Sequence, residues 1–122
     1  MGQARRISQA LVIGAREETR QIASTLLEET GLNVIEAESM EEGAELLMRH
    51  ARKLSFVFAE AGSSLEARAL ALLVANNWPW IRVLVAMDRA SITENDLPAS
   101  ASRLNHPWRP LDLLIEAERA MQ

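Results

Sequence analysis

Ala10-Leu11-Val12-Ile13-Gly14-Ala15-Arg16-Glu17 is the stretch on which the fold turns. Four consecutive apolar residues stop at a glycine, and the periodicity then changes. A short unbroken apolar run bounded by a turn residue is the pattern of a parallel strand buried on both faces. From Glu17 onward Ile22, Ala23, Leu26, Leu27 and Thr30 recur at helical spacing, with Glu18, Arg20, Glu28 and Glu29 expected to face water. Gly31 follows as the stop, because a glycine just past the last turn accepts the left-handed conformation that ends many helices. A buried strand that hands over to an amphipathic helix is the first half of a parallel crossover unit.

The alternation continues in both directions from this start. Asn33 to Ala37 reads as a second, more polar strand. Ser39-Met40-Glu41-Glu42 is a capping box that opens a second helix, with an expected inner stripe of Ala44, Leu47, Met48 and Ala51. Phe56-Val57-Phe58-Ala59 is a third strand ending at Glu60. Ser63-Ser64-Leu65-Glu66 caps a third helix that runs to about Asn77, with Leu65, Ala69, Leu72 and Leu73 expected inward. Pro79 cannot continue that helix, and Ile81 to Ala86 forms a fourth strand. Trp78 and Trp80 bracket the proline and are expected to cover the core. Residues 88 to 101 are polar and turn-prone, with room for one short, weakly amphipathic helix. Ser102 to Asn105 fits a fifth, edge-type strand. Pro110 opens the last helix, with Leu111, Leu114, Ala117 and Met121 expected inward.

Strands alternating with helices through short loops imply an α/β protein with right-handed crossovers. The expected architecture is a flavodoxin-like, doubly wound five-stranded parallel sheet in the order 2-1-3-4-5. Helices cover both faces, and the fourth is short or missing. The 122 residues form one domain over positions 1–122. Thirteen basic against 17 acidic residues, with no basic stripe, argue against nucleic acid as partner. The apolar runs are far too short to span a bilayer, and the first nine residues contain no apolar signal core, so the expected location is the cytoplasm with no membrane contact. With no cysteine, thiolate zinc sites and cysteine nucleophiles are excluded. His50 and His106 are the only histidines and lie on different elements, without metal-ligand spacing. His50 is read as a polar residue in the last turn of its helix. No G-x-G-x-x-G follows the first strand, and no nucleophile–base arrangement stands out, so neither an enzyme nor a cofactor is expected.

Taken together, Leu11 to Arg16, Phe56 to Glu60, Trp78-Pro79 and Asn105-His106-Pro107-Trp108-Arg109-Pro110-Leu111-Asp112-Leu113-Leu114 resemble the receiver domain of bacterial two-component response regulators. The most specific piece runs from His106 to Leu114 and is similar to the Lys-Pro-Trp/Phe-x-Pro-x-x-Leu end of many receivers. In that family an acidic pair after the first strand and an Asp after the third hold Mg²⁺, and that Asp accepts a phosphoryl group from a histidine kinase. A Ser or Thr after the fourth strand and a Lys before a Pro after the fifth engage the phosphoryl oxygens.

Position by position, this chain departs from that pattern. Gly14 and Ala15 replace the acidic pair, with Arg16 following. Glu60 replaces the phosphoacceptor, Met87 (or Ala86, one register away) the hydroxyl, and His106 the lysine, while Pro107 is retained. Mg²⁺ requires near-octahedral oxygen ligation, which Gly14 and Ala15 do not provide through their side chains. Without metal and lysine, phosphoryl transfer loses most of its electrostatic support.

Glu60 then has two readings. In one it merely ends a strand. In the other it stands in for a phosphoryl group, carrying about −1 charge against roughly −2, with Arg16 approaching the same spot. The expectation is a degenerate receiver, a pseudo-receiver of phosphorelay signalling that acts by protein contact without phosphorylation. Its expected partners are a histidine kinase, a phosphotransfer protein, another regulator or a second copy, met on a face that includes Trp108, Arg109 and Leu111. The alternatives are a receiver phosphorylated at an atypical residue and a small-molecule-binding module using a pocket beside Gly14 and Ala15.

Overall fold

Alternation along β1 (Gln9–Ile13) divides the molecule into two halves. Successive side chains of a strand point to opposite faces. Leu11 and Ile13 therefore join one buried cluster, and Ala10 and Val12 the other. The computed structural model describes residues 8–87, 97–105 and 107–120. In chain order β1 is followed by α1 (Glu17–Glu29), β2 (Asn33–Ala37), α2 (Met40–His50), β3 (Leu54–Glu60), α3 (Ser64–Asn77), β4 (Arg82–Met87), β5 (Ala101–Asn105) and α4 (Pro110–Ala120). The strands form one sheet in the order β2-β1-β3-β4-β5, every ladder parallel. This is the flavodoxin-like arrangement that the strand and helix pattern implies.

Helices cover both faces. Val57, Ala59, Val83 and Val85 extend the Leu11/Ile13 side and pack against Leu47 of α2 and Leu70 and Val74 of α3. Phe56, Phe58, Leu84 and Ala86 extend the Ala10/Val12 side and pack against Ala23 and Leu27 of α1 and Leu113 and Ala117 of α4. Phe56 and Phe58 are fully buried, each a contribution of about 1.5–3 kcal/mol over exposure.

The helix ends follow the capping signals. Ser39 Oγ accepts from the Glu42 N–H, and Ser63 Oγ from the Glu66 N–H. Each glutamate reaches back one residue further than the simplest capping box, Glu42 to the Glu38 N–H at 2.7 Å and Glu66 to the Gly62 N–H at 3.0 Å. Gly31 ends α1 at φ 97°, a conformation that favours glycine. His50 lies in the last turn of α2.

Several inward faces differ from expectation. In α3 the buried residues are Ala67, Leu70, Ala71 and Val74, while Leu65, Ala69, Leu72 and Leu73 face solvent. The run is apolar around most of its circumference, so periodicity alone does not choose a side. In α1 Ile22 is exposed and Ser24 is buried, its hydroxyl donating to the Arg20 carbonyl at 2.9 Å. That bond replaces hydration within one turn, which is why a serine is tolerated there.

In α2 Met48 is exposed and Gly43 takes the inner position, because a Cβ there would meet Ile13, with Cγ1 2.9 Å away. In α4 Leu113 and Ala117 are buried and Leu111 is exposed. Trp78 packs on the core, whereas Trp80 is largely exposed and its Nε1 donates to the Ala51 carbonyl at 3.1 Å. The short or missing fourth helix expected between β4 and β5, along with His106 and Met121, lies outside the described residues.

Candidate functional site

Parallel sheets of this kind expose their chemistry beyond the carboxyl ends of the strands. Here the tips of β1, β3 and β4 place Gly14, Glu60 and Met87. Glu60 is the last residue of β3 and follows Phe56 and Phe58 in the alternation, which carries it to the α1/α4 side. Ala86 stands beside Glu60 in the β3–β4 register and belongs to that side, while Met87 is buried among the α2/α3 cluster. Of the two positions compared with the family's hydroxyl, Ala86 is thus Glu60's neighbour.

The Glu60 carboxylate joins two distant segments. Thr19, in the first turns of α1, donates its hydroxyl to Oε1 at 2.8 Å. The same hydroxyl lies 3.3 Å from the Arg16 carbonyl; its one proton is better placed in the shorter, charge-assisted bond. Trp108, just before α4, donates its indole Nε1–H to Oε2 at 3.2 Å. Its ring meets Phe58 edge-on, with centroids 5.2 Å apart and planes at 78°, a favoured aromatic geometry. Trp108 is half-buried against the α1/α4-side core.

The tip of β1 is closed from two directions. The Glu60 Oε1 atom lies 3.1 Å from where a Cβ on Gly14 would stand, so the absent side chain makes room for the carboxylate. The Gly14 carbonyl accepts from Arg20 Nη1 at 2.8 Å, and Arg20 Nε pairs with Glu36 Oε1 of β2 at 2.8 Å.

The guanidinium reaching this rim therefore belongs to Arg20, which helical periodicity assigns to solvent. Arg16 is exposed, and among the described residues it makes no ion pair. Periodicity marks faces of a helix, and it misses Thr19 and Arg20 because they approach the strand tips from the helix end. Their place one turn beyond the Gly14-Ala15-Arg16 tip is the signal that identifies them.

These residues do not fit a divalent cation. Ala15 offers no side-chain oxygen, the Gly14 carbonyl is held by a guanidinium, and the Glu60 carboxylate is bonded to Thr19 and Trp108. Mg²⁺ needs near-octahedral oxygen ligation, and a neighbouring arginine opposes it. Among the described residues no group of three His, Asp or Glu side chains converges elsewhere.

Pro107, Arg109 and Leu111 are all exposed. Arg109 pairs with Asp112 one turn on, at 3.3 Å. His106, compared with the family's lysine, is outside the described residues. No described helix is long and apolar enough to cross a membrane.

No family model matches the chain, and no curated protein matches it in sequence. Solved structures do match in shape. A response regulator receiver domain protein from Clostridium thermocellum is 20% identical over 94% of each chain, with a TM-score of 0.79. A response regulator receiver protein from Sinorhizobium medicae is 13% identical over 94% of each chain, with a TM-score of 0.81. The signal receiver domain of an HD domain-containing protein from Pseudomonas fluorescens is 18% identical over 95% of each chain, with a TM-score of 0.77. The likeness establishes the fold: this chain has the fold of receiver domains.

Proposed function

We propose that this chain is a receiver-fold signalling domain of a two-component system that works through protein contacts and is not phosphorylated, a pseudo-receiver in the cytoplasm. The observation that carries the reading is the Glu60 carboxylate, bonded through one oxygen to Thr19 and through the other to Trp108. A carboxylate held on both oxygens by side-chain donors is a poor nucleophile. Among the described residues, the rim around it also lacks the set of oxygen ligands on which phosphoryl transfer depends.

The same contacts suggest what Glu60 does instead. It ties α1 to the segment leading into α4, so the two ends of the rim are held in one arrangement. In a phosphorylated receiver the bound phosphoryl group recruits distant side chains; here the carboxylate holds Thr19 and Trp108 from the outset. The domain is then fixed in one signalling state and is read by a histidine kinase, a phosphotransfer protein or another regulator. The Arg109 and Leu111 surface beside Trp108 is the candidate contact face for that reader.

Incubation with acetyl phosphate and Mg²⁺, followed by intact-mass measurement, tests the reading. An unchanged mass is expected. A gain of about 80 Da, one phosphoryl group, at Glu60 or any other residue would overturn it.

A further inference from the structure

All five strands enter the sheet at the edge opposite Glu60, since every ladder is parallel. At that edge, in Arg49-His50-Ala51-Arg52-Lys53, the sequence places three of its 13 lysines and arginines within five positions. The stretch joins α2 to β3. The chain is still turning there: the Lys53 N–H donates to the His50 carbonyl at 2.9 Å and the Leu54 N–H to the Ala51 carbonyl at 3.2 Å. Arg52 and Lys53, three and four residues after Arg49, therefore share its side of the turn, and all three are exposed.

These cations have no counter-charge among the described residues. Arg20, Arg82, Arg109 and Arg119 each pair with a carboxylate. Arg49, Arg52 and Lys53 do not, although Glu45 stands one helical turn before Arg49. The C-terminus of a helix favours positive charge, but that effect fades within the last turn, and Arg52 and Lys53 lie beyond the end of α2.

An aromatic side chain stands beside them. Trp80 lies in the turn between α3 and β4, and its Nε1–H donates to the Ala51 carbonyl at 3.1 Å, which pins the indole against the middle of the basic stretch. The residue nevertheless stays 55% exposed. A side chain already held in one orientation loses little entropy on meeting a partner, and Trp and Arg are the types enriched among interface anchors.

We infer that the amino edge around Arg49, Arg52, Lys53 and Trp80 docks a short acidic segment of another protein, with carboxylates on the cations and an apolar side chain on the indole. Charge complementarity selects an acidic occupant. The size of the patch selects a short segment: a lipid-binding cluster carries about 4–8 Lys or Arg, and a nucleic acid running past the patch would meet a chain whose 17 acidic residues outnumber its 13 basic ones. The inference rests on nothing at the Glu60 rim and is independent of whether the chain is phosphorylated.

Fluorescence polarisation of a short fluorescein-labelled oligoglutamate peptide with one central leucine, titrated with the full chain, tests it. Saturable binding that weakens as salt is added is expected. In the matching NMR titration the Trp80 indole N–H and the backbone N–H groups of Arg52 and Lys53 should shift, and the Trp108 indole N–H should not. The double variant Arg52→Glu/Lys53→Glu should bind the peptide about 10-fold more weakly, with a melting temperature near the parent's because both side chains are exposed. Arg68→Glu, exposed on α3, should change binding by less than about 2-fold. A peptide that shows no saturable binding overturns the inference, as does one that binds the double variant as tightly as the parent. Tighter binding of phosphatidylserine vesicles or of a single-stranded RNA oligonucleotide than of the peptide also overturns it, and reassigns the patch to that surface.

Discussion

Trp108 and Glu60 act as one unit across the carboxyl rim of the sheet. The indole N–H donates to the carboxylate at 3.2 Å while the edge of the same ring rests on Phe58, two residues before Glu60 on β3. A polar bond and an aromatic contact thus hold one side chain against one strand, and the polar and apolar parts of the contact can be separated by mutation.

Trp108→Phe keeps an aromatic ring against Phe58 and removes the donor. A hydrogen bond to a charged group contributes about 1.5–3 kcal/mol, and this one is only part-buried. The expected loss is about 1 kcal/mol in urea unfolding. Trp108→Ala also removes the packing and should cost about 3 kcal/mol. Equal losses in the two variants would mean that the N–H contributes nothing.

Glu60→Gln replaces two acceptor oxygens with one acceptor and one donor. The amide oxygen still accepts from the Trp108 N–H, and the amide N–H donates to the Thr19 hydroxyl, so both contacts persist without their charge assistance, at a cost of about 0.5–1 kcal/mol. The local reporter is the Trp108 indole N–H resonance, one of three in the spectrum since the chain has three tryptophans. It should move far more than those of Trp78 and Trp80. A stationary Trp108 resonance would show that the carboxylate is not its acceptor.

Gly14→Ala should be destabilising by about 1 kcal/mol although its backbone is ordinary. The new Cβ would lie 3.1 Å from Glu60 Oε1, an atom already held by Thr19, so relief requires loosening that bond. Gly14→Asp, which restores the acidic residue of the family pattern, should cost more because two carboxylates then share the rim. Thermal unfolding of the series Gly, Ala, Asp checks the order, and a stabilised Asp variant would contradict it.

Arg20→Lys tests whether the fork matters as well as the charge. Arg20 uses Nη1 on the Gly14 carbonyl and Nε on Glu36, and a single ammonium does not span both. Glu36 is partly exposed, so the loss expected in denaturant titration is about 1 kcal/mol. Arg16→Ala, on an exposed residue, should change stability by less than about 0.5 kcal/mol. Reversal of that order would move the rim's cation from Arg20 to Arg16.

Gly43→Ala sets helix propensity against packing. Alanine is favoured by about 1 kcal/mol within a helix, but its Cβ would press on buried Ile13. Overpacking costs about 1–3 kcal/mol. A net destabilisation of about 1 kcal/mol is expected by calorimetry, and a more stable variant would show that Ile13 moves aside freely.

The strands, their order and the helix caps were legible from the chain alone, because each is written in neighbouring residues. An apolar run that stops at Gly14, a serine three residues before a glutamate, and a glycine after the last helical turn act over a few positions. The receiver-like placing of Glu60 at a strand tip came from the same local order. The inner face of α3 was not legible, since Leu65, Leu72 and Leu73 satisfy a helical period as well as Leu70 and Val74 do. Only contact with the sheet breaks that tie, by giving one side of the helix somewhere to pack. The partners of Glu60 were hidden for a related reason: Thr19 and Trp108 lie 41 and 48 residues away. A hydrogen bond depends on ångströms in space, and separation along the chain carries no trace of it until the crossovers bring α1, β3 and the start of α4 to one rim.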